Sequence, residues 1–277
     1  MPIRKSMFAG EFYSDDPKIL RAFLSKALAE ANVEGDVLKT ACAYVAPHAG
    51  YEYSGRTAAY AYKALGQNRL LNDISTLVFI GPNHTGIGTP ISVSSADWET
   101  PLGVVKNDLE LSNAIVEASS IAEFDETAHA GEHSIEVQLP FIQYMGLEKR
   151  AVFICMGDQG IDASNDLANA ILKASEALGR KIAVMASSDF NHYESKRIGE
   201  RKDRALFEKI ELLDYKAFNP LVESINSSAC GYGPITVAME YAKGAGCKKG
   251  VLLNYSNSGI VTGDFGSVVD YAAFAMV

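Results

Sequence analysis

The chain has 277 residues, 48% of them hydrophobic, with a net charge of −9 and a mean hydropathy of +0.01. That size and apolar fraction fit one large α/β unit, or two small ones, with a substantial core. The acidic balance argues against a nucleic-acid backbone or an anionic membrane surface as partner, since either calls for a basic face. No apolar run reaches the roughly 18 residues that span a bilayer, and the basic N-terminus lacks the apolar region of a signal peptide. Cys42, Cys155, Cys230 and Cys247 form no CxxC pair. They fit a reducing, cytoplasmic setting better than a disulfide framework.

Asp15, Asp16 and Pro17 precede Ile19, Leu20, Phe23, Leu24, Ala27 and Leu28 at helical spacing, which predicts a capped helix. Residues 41–46 read as a buried strand, ended by Pro47 because proline cannot donate to a sheet ladder. A helix over about 54–65 follows. The layout repeats at residues 76–81, followed by Pro82, Asn83 and His84. Residues 91–98 alternate with period two, and the turn at 100–103 leads to Val104 and Val105, predicting an inserted hairpin. Asn107 or Asp108 can cap a helix to about Ala118. Residues 121–133 have little periodicity and are expected as a loop, and 134–144 as a short helix limited or kinked by Pro140. Residues 151–156 and 181–186 are further buried strands, with a helix over roughly 163–178 between them. Helices at about 201–213, 215–226 and 234–245 precede strands at 250–255 and 267–274. This alternation predicts a single α/β domain over 1–277, with a mainly parallel central sheet flanked by helices on both faces.

His48, His84 and His192 each follow a predicted strand, and such strand ends converge on one crevice in an open α/β sheet. Taken singly, each can equally be a structural histidine. Cys230 stands just before a helix opened by Gly231, Tyr232, Gly233 and Pro234, where the helix dipole and free N–H groups favour a thiolate. The alternative is a buried, inert thiol. A thiolate with two imidazoles suits zinc or copper, whereas iron(II) more often takes two histidines and a carboxylate. Residues 129–133 match the H-x-x-E-H pattern of inverted zinc proteases. That mechanism needs a continuous helix, which Gly131 and the weak periodicity oppose, so Glu132 and His133 are taken as pocket-lining residues. Asp189 lies three residues before His192 and can fix its tautomer or raise its pKa to make a general base, or can cap a local turn. There is no G-x-S-x-G, Walker A or G-x-G-x-x-G signature.

Five stretches occur in an order that resembles the Memo family over almost the whole chain. They are Pro47-His48-Ala49-Gly50-Tyr51 with Tyr53-Ser54-Gly55, Gly81-Pro82-Asn83-His84, Glu132-His133-Ser134-Ile135-Glu136 continuing to Phe141, Ser187-Ser188-Asp189-Phe190-Asn191-His192-Tyr193, and Cys230-Gly231-Tyr232-Gly233-Pro234-Ile235. The resemblance implies the fold of the LigB-like class III extradiol dioxygenases, which hold iron(II) with two histidines and a glutamate. It implies His48 and His84 as imidazole ligands, Cys230 in place of the glutamate, and His192 as the acid–base group oriented by Asp189. Tyr51 and Tyr53 are expected at the entrance. Iron(II) is the first expected metal, with copper or zinc as alternatives, and the substrate is an unidentified small molecule. Some animal relatives are described as adaptors for a phosphotyrosine segment, so the alternative is a peptide- or partner-binding module that uses the same crevice without catalysis. Phe12-Tyr13 stands here where those members have Trp-Tyr. Microbial relatives are often encoded beside a radical-SAM protein and a small companion protein, which implies a shared pathway. A metal-free thiol hydrolase using Cys230 and a histidine is a third reading.

Overall fold

The computed structural model describes residues 2–35, 40–147 and 149–277. Its elements begin with β1 (Ile3–Arg4), α1 (Pro17–Glu30), β2 (Ala43–Ala46), α2 (Arg56–Gly66), β3 (Ile74–Pro82), β4 (Ile91–Val93) and β5 (Asp97–Thr100). They continue with β6 (Gly103–Val105), α3 (Leu109–Ala118), β7 (Ala122–Phe124), α4 (Leu139–Tyr144), β8 (Arg150–Met156), α5 (Ile161–Ala177) and β9 (Lys181–Ser187). The last are β10 (His192–Glu194), α6 (Lys196–Glu211), α7 (Tyr215–Ser224), α8 (Tyr232–Gly244), β11 (Gly250–Asn257), α9 (Gly259–Thr262) and β12 (Val268–Met276). A π-helical turn, Tyr51–Gly55, leads into α2, and a 3-10 turn, Glu136–Gln138, leads into α4.

The helix starts follow local chemistry. Asp16 accepts the N–H groups of Lys18 and Ile19 at the head of α1, and Pro17 takes the first position, where its missing N–H costs nothing. At α3 the cap is Asp108, which accepts the Leu111 N–H. Pro140 sits in the first turn of α4 and starts that helix rather than limiting it.

The nine-stranded central sheet is mixed. Its middle, β2–β9–β3–β8, is parallel throughout, with Ala43 opposite Val184, Val78 opposite Val184, and Val78 opposite Val152. The margins are largely antiparallel. There β12 pairs with β2, β11 and β10, and β4 pairs with β8, while β7 runs parallel to β4. The segment joining β11 to β12 contains only the short α9, too little for the crossover that parallel strands require. The alternating run at 91–98 divides. Ile91–Val93 joins the central sheet, whereas β5 and β6 form a hairpin completed by β1 in a separate three-stranded sheet. The break lies at Ser94 and Ser95, whose hydroxyls donate to the Glu126 carboxylate. The stretch expected as loop at 121–133 carries a short strand, β7, and the short β10 is a strand that sequence reasoning did not place.

Alternate residues of the middle strands fill two cores. Val45, Val78, Ile80, Val152, Ile154 and Val184 face α3, α5, α6, α7 and α8. Tyr44, Leu77, Phe79, Phe153 and Met185 face α1, α2 and α4. Burial on both faces is why these strands read as continuous apolar runs.

Candidate metal centre

Adjacent parallel strands end at the same edge of a sheet, so β2, β9 and β3 deliver His48, Asp189 and His84 side by side. Helix α8 packs across the same three strands, and Cys230 lies just before it. The segment before the 3-10 turn supplies Glu132 and His133. Ring centroids of His48, His84 and His133 are 5.1 Å (His48–His84), 5.3 Å (His48–His133) and 4.7 Å (His84–His133) apart. One nitrogen from each lies within 4.8 Å of the others.

Hydrogen bonds fix the His48 tautomer. The Ser187 hydroxyl donates to the Ser134 carbonyl, 2.6 Å away, which can only accept. Gln138 Nε2 must donate to the Pro47 carbonyl at 3.0 Å, and it donates again to Ser187 Oγ at 2.7 Å. Its Oε1 takes the Tyr62 hydroxyl at 2.6 Å. With the Ser187 proton already committed, the 2.9 Å contact between His48 Nδ1 and Ser187 Oγ is donated by the ring. Nε2 of His48 therefore keeps its lone pair, 3.1 Å from Cys230 Sγ.

His84 is held in the same tautomer by a carboxylate. Glu132 accepts the His84 N–H at 2.7 Å, the Ser134 N–H at 2.8 Å and the His84 Nδ1–H at 3.0 Å. Burial opposes charge on Glu132, but the bond from His84, its charge and the backbone donors hold the carboxyl down to about 2. An ionised carboxylate only accepts, so Nε2 of His84 is also free. Burial lowers His84, but its bond to Glu132 and the Glu132 charge outweigh this and raise it. Burial and the His84 charge push His48 well down, and burial with the His48 charge lowers His133 to about 4.

Cys230 differs from the expected thiolate: burial, then the nearby Asp189 charge, push the thiol well above its ordinary range. Desolvation outweighs the helix start. The S–H faces the lone pair of His48 Nε2, and the sulfur accepts the Asp189 N–H at 3.3 Å. Cys230 Sγ reaches His48 but is not among the ligand atoms within 4.8 Å of one another, which come from His48, His84 and His133; imidazoles with a nearby thiol are donors that suit a borderline or soft divalent ion.

The family profile described as Memo-like protein matches residues 4–275. The chain belongs to the Memo family. It is similar to MEMO1 family proteins of Desulfurococcus amylolyticus, 43% identical over 282 residues that cover 99% of this chain and 98% of that one. It is also similar to those of Methanopyrus kandleri (40% over 278 residues, 98% and 97%) and Methanothermobacter thermautotrophicus (40% over 276 residues, 98% and 99%).

Several residues of this Memo-family chain have roles other than those expected. The Asp189 carboxylate accepts the N–H groups of His48 at 2.8 Å and Ala49 at 3.4 Å, so it positions His48, and His192 is near enough to act on it through its charge. His192 opens β10, its own N–H on Ser228 Oγ at 2.7 Å and its Nδ1 buried without a hydrogen bond. Tyr51 lines a surface cavity with Phe12, Tyr13 and Phe23. It is buried, stacks on Phe23, and donates to the Val137 carbonyl at 2.7 Å. Tyr53 is 40% exposed and lines a surface cavity with Thr57 and Tyr60. Glu132 is wholly buried and orients His84. His129 packs on Trp98 away from the cluster, its Nε2 3.2 Å from the Ser92 carbonyl. Residues 129–133 form turns, not a helix, which removes the inverted-protease arrangement.

The Memo-family site also uses residues that sequence reasoning passed over, namely Ser187, Gln138, Arg4 and Glu136. Arg4 donates to Glu136 at 2.6 Å and to the carbonyls of His129 and Glu132 at 2.8 and 2.9 Å. Glu136 also accepts the N–H groups of Met7 and Phe8 and the Tyr13 hydroxyl. This network straps the N-terminal segment over the site, with Phe8 and Phe12 against His133 at 5.5 and 4.4 Å. The available signal was Glu136 and Gln138 set two apart in an otherwise apolar run.

Proposed function

We propose that this Memo-family protein is a metal-dependent redox protein, with His48, His84 and Cys230 holding iron(II) or, next in order, copper in a LigB-like crevice open to a small substrate. The observation that carries this reading is the pinning of both imidazoles with Nε2 free, by Ser187 in one case and Glu132 in the other. Metal-ligating histidines are held in this way by their outer hydrogen bonds. A bound iron or copper ion with open positions supplies one-electron and dioxygen chemistry. The chain's own residues do the rest. Cys230 gives up its thiol proton to become a ligand, and Asp189 fixes the His48 loop through two N–H groups. We assign proton movement to His192, whose Nδ1 is unclaimed by any protein partner. Phe8 and Phe12 shield one flank through His133.

A second reading, a peptide or partner protein docked without catalysis, is favoured by the exposed rings of Tyr53 and Tyr193, 40% and 78% accessible. Metal content after anaerobic reconstitution with iron(II), copper(I) or zinc(II) tests the choice. Near-stoichiometric metal in the wild type, lost in His48→Ala, His84→Ala and Cys230→Ser, is the expected result. No binding, or binding indifferent to these changes, overturns the redox reading and favours docking.

A further inference from the structure

Two cysteines outside the metal centre meet at the far ends of the elements that build it. Cys42 immediately precedes β2, the strand that leads to His48, and Cys247 follows the end of α8, the helix that begins just after Cys230. The Cys42 N–H donates to the Met276 carbonyl at 3.0 Å, and Cys247 Sγ lies 3.4 Å from the same oxygen. Both thiols are free, and their shared carbonyl places the two residues side by side. Strand β2 and helix α8 pack together between these points.

We propose that Cys42 and Cys247 are a peroxide-oxidisable dithiol whose reversible disulfide staples β2 to α8 at the end opposite His48 and Cys230. Their environments differ in the way such a pair requires. Cys247 is lowered by the neighbouring Cys42 and, against its own burial, by the Cys42 N–H and the Lys248 charge, while Cys42 is raised by Cys247 and by burial. The lower of two thiols supplies the nucleophilic thiolate. Cys247 attacks one oxygen of hydrogen peroxide, the O–O bond breaks, and the sulfur becomes a sulfenic acid as hydroxide leaves and takes up a proton. Cys42 then attacks that sulfur, forming the S–S bond and releasing a second water. Two thiols lose two electrons and two hydrogens, and one peroxide becomes two waters. A dithiol reductant reverses the bond by exchange. Transient, redox-responsive disulfides of this kind are the sort found in reducing compartments.

The test needs no assumption about the metal centre. The full chain is treated with hydrogen peroxide, unfolded in an alkylating agent and mapped by mass spectrometry. The expected result is loss of two hydrogens confined to a linked Cys42–Cys247 peptide, a free-thiol titre reduced by half, and reversal by dithiothreitol. The thermal midpoint should rise on oxidation in wild type but not in Cys42→Ser or Cys247→Ser. Absence of the linked peptide, oxidation of either thiol singly to a sulfinic acid, or a link through Cys155 or Cys230 overturns the proposal. Because the wild-type peptide map decides, a variant that folds poorly does not rescue it.

Discussion

Replacing Glu132 by Gln isolates what one buried carboxylate does for the site. The side chain accepts three kinds of donor at once: the His84 N–H at 2.7 Å, the Ser134 N–H at 2.8 Å and the His84 ring at 3.0 Å. Glutamine keeps the shape but offers one acceptor oxygen, and its NH₂ group must face a donor. The His84 N–H reaches Oε2 and the Ser134 N–H reaches Oε1, so in either amide orientation NH₂ faces one of these buried N–H groups and orphans it at about 1–3 kcal/mol. The same NH₂ can donate to His84 Nδ1, which moves the ring proton to Nε2, where an ion would bind. Loss of such an outer partner lowers metal affinity about 10–100-fold, or about 1.4–2.8 kcal/mol at RT ln 10 of about 1.4. Anaerobic competition titration against a chelator of known affinity, beside wild type, reads the change. Each kcal/mol of orphaned N–H also moves the thermal midpoint of a chain this size by about 2–4 °C. Wild-type affinity in the glutamine variant refutes the tautomer argument, however the variant's stability behaves.

Ser187→Ala removes the acceptor that keeps His48 Nδ1 protonated and should cost about 10–100-fold in metal affinity, measured by the same titration; an unchanged value counts against the Ser187–Gln138 network. His133→Ala separates a two-histidine-one-cysteine centre from a three-histidine one. Binding should survive with at most a small loss, and abolition comparable to His48→Ala would reassign the ligand. Arg4→Met leaves Glu136 buried and unpaired, a change of about 3–5 kcal/mol, so the urea midpoint should fall steeply; a midpoint near wild type refutes the strap. Burial and the Asp270 charge push Asp203 up to about 8, and burial pushes Asp270 up to about 6. Both folded values lie above the unfolded carboxylate range, so the folded chain keeps protons that the unfolded chain releases, and stability falls as pH rises from about 4 to about 8. Asp203→Asn should flatten that fall in urea melts across the range, and an equally steep curve would refute it.

The parts legible in the sequence were those that depend on neighbours along the chain. Continuous apolar runs ended by proline placed His48 and His84 at strand ends, because a doubly buried strand and its stop are both local signals. Asp16 and Asp108 as helix caps follow from the same local chemistry. What escaped notice depends on residues far apart. The His48 tautomer rests on Ser187 and Gln138, which come from β9 and the 3-10 turn. The strap joins Arg4 to Glu136 as a buried ion pair. Helix position favoured a Cys230 thiolate, but desolvation and Asp189, which only the folded chain brings close, reverse it. The antiparallel β11–β12 pair reflects a short connection, which element counts by themselves did not reveal.

The order in which the site's parts leave the ribosome follows from this layout. His48 and His84 emerge early, while Cys230 comes roughly 150 residues after His84, about 7–30 s later at about 5–20 residues per second. During that interval a nascent chain exposes two imidazoles with neither thiol nor closed crevice to govern which ion they take. On the proposed reading, the full ligand set forms only once Cys230 has emerged, so loading would be coupled to closure of the last third of the chain. Expression in medium rich in a competing metal should determine what the purified protein carries less than the metal present during refolding does.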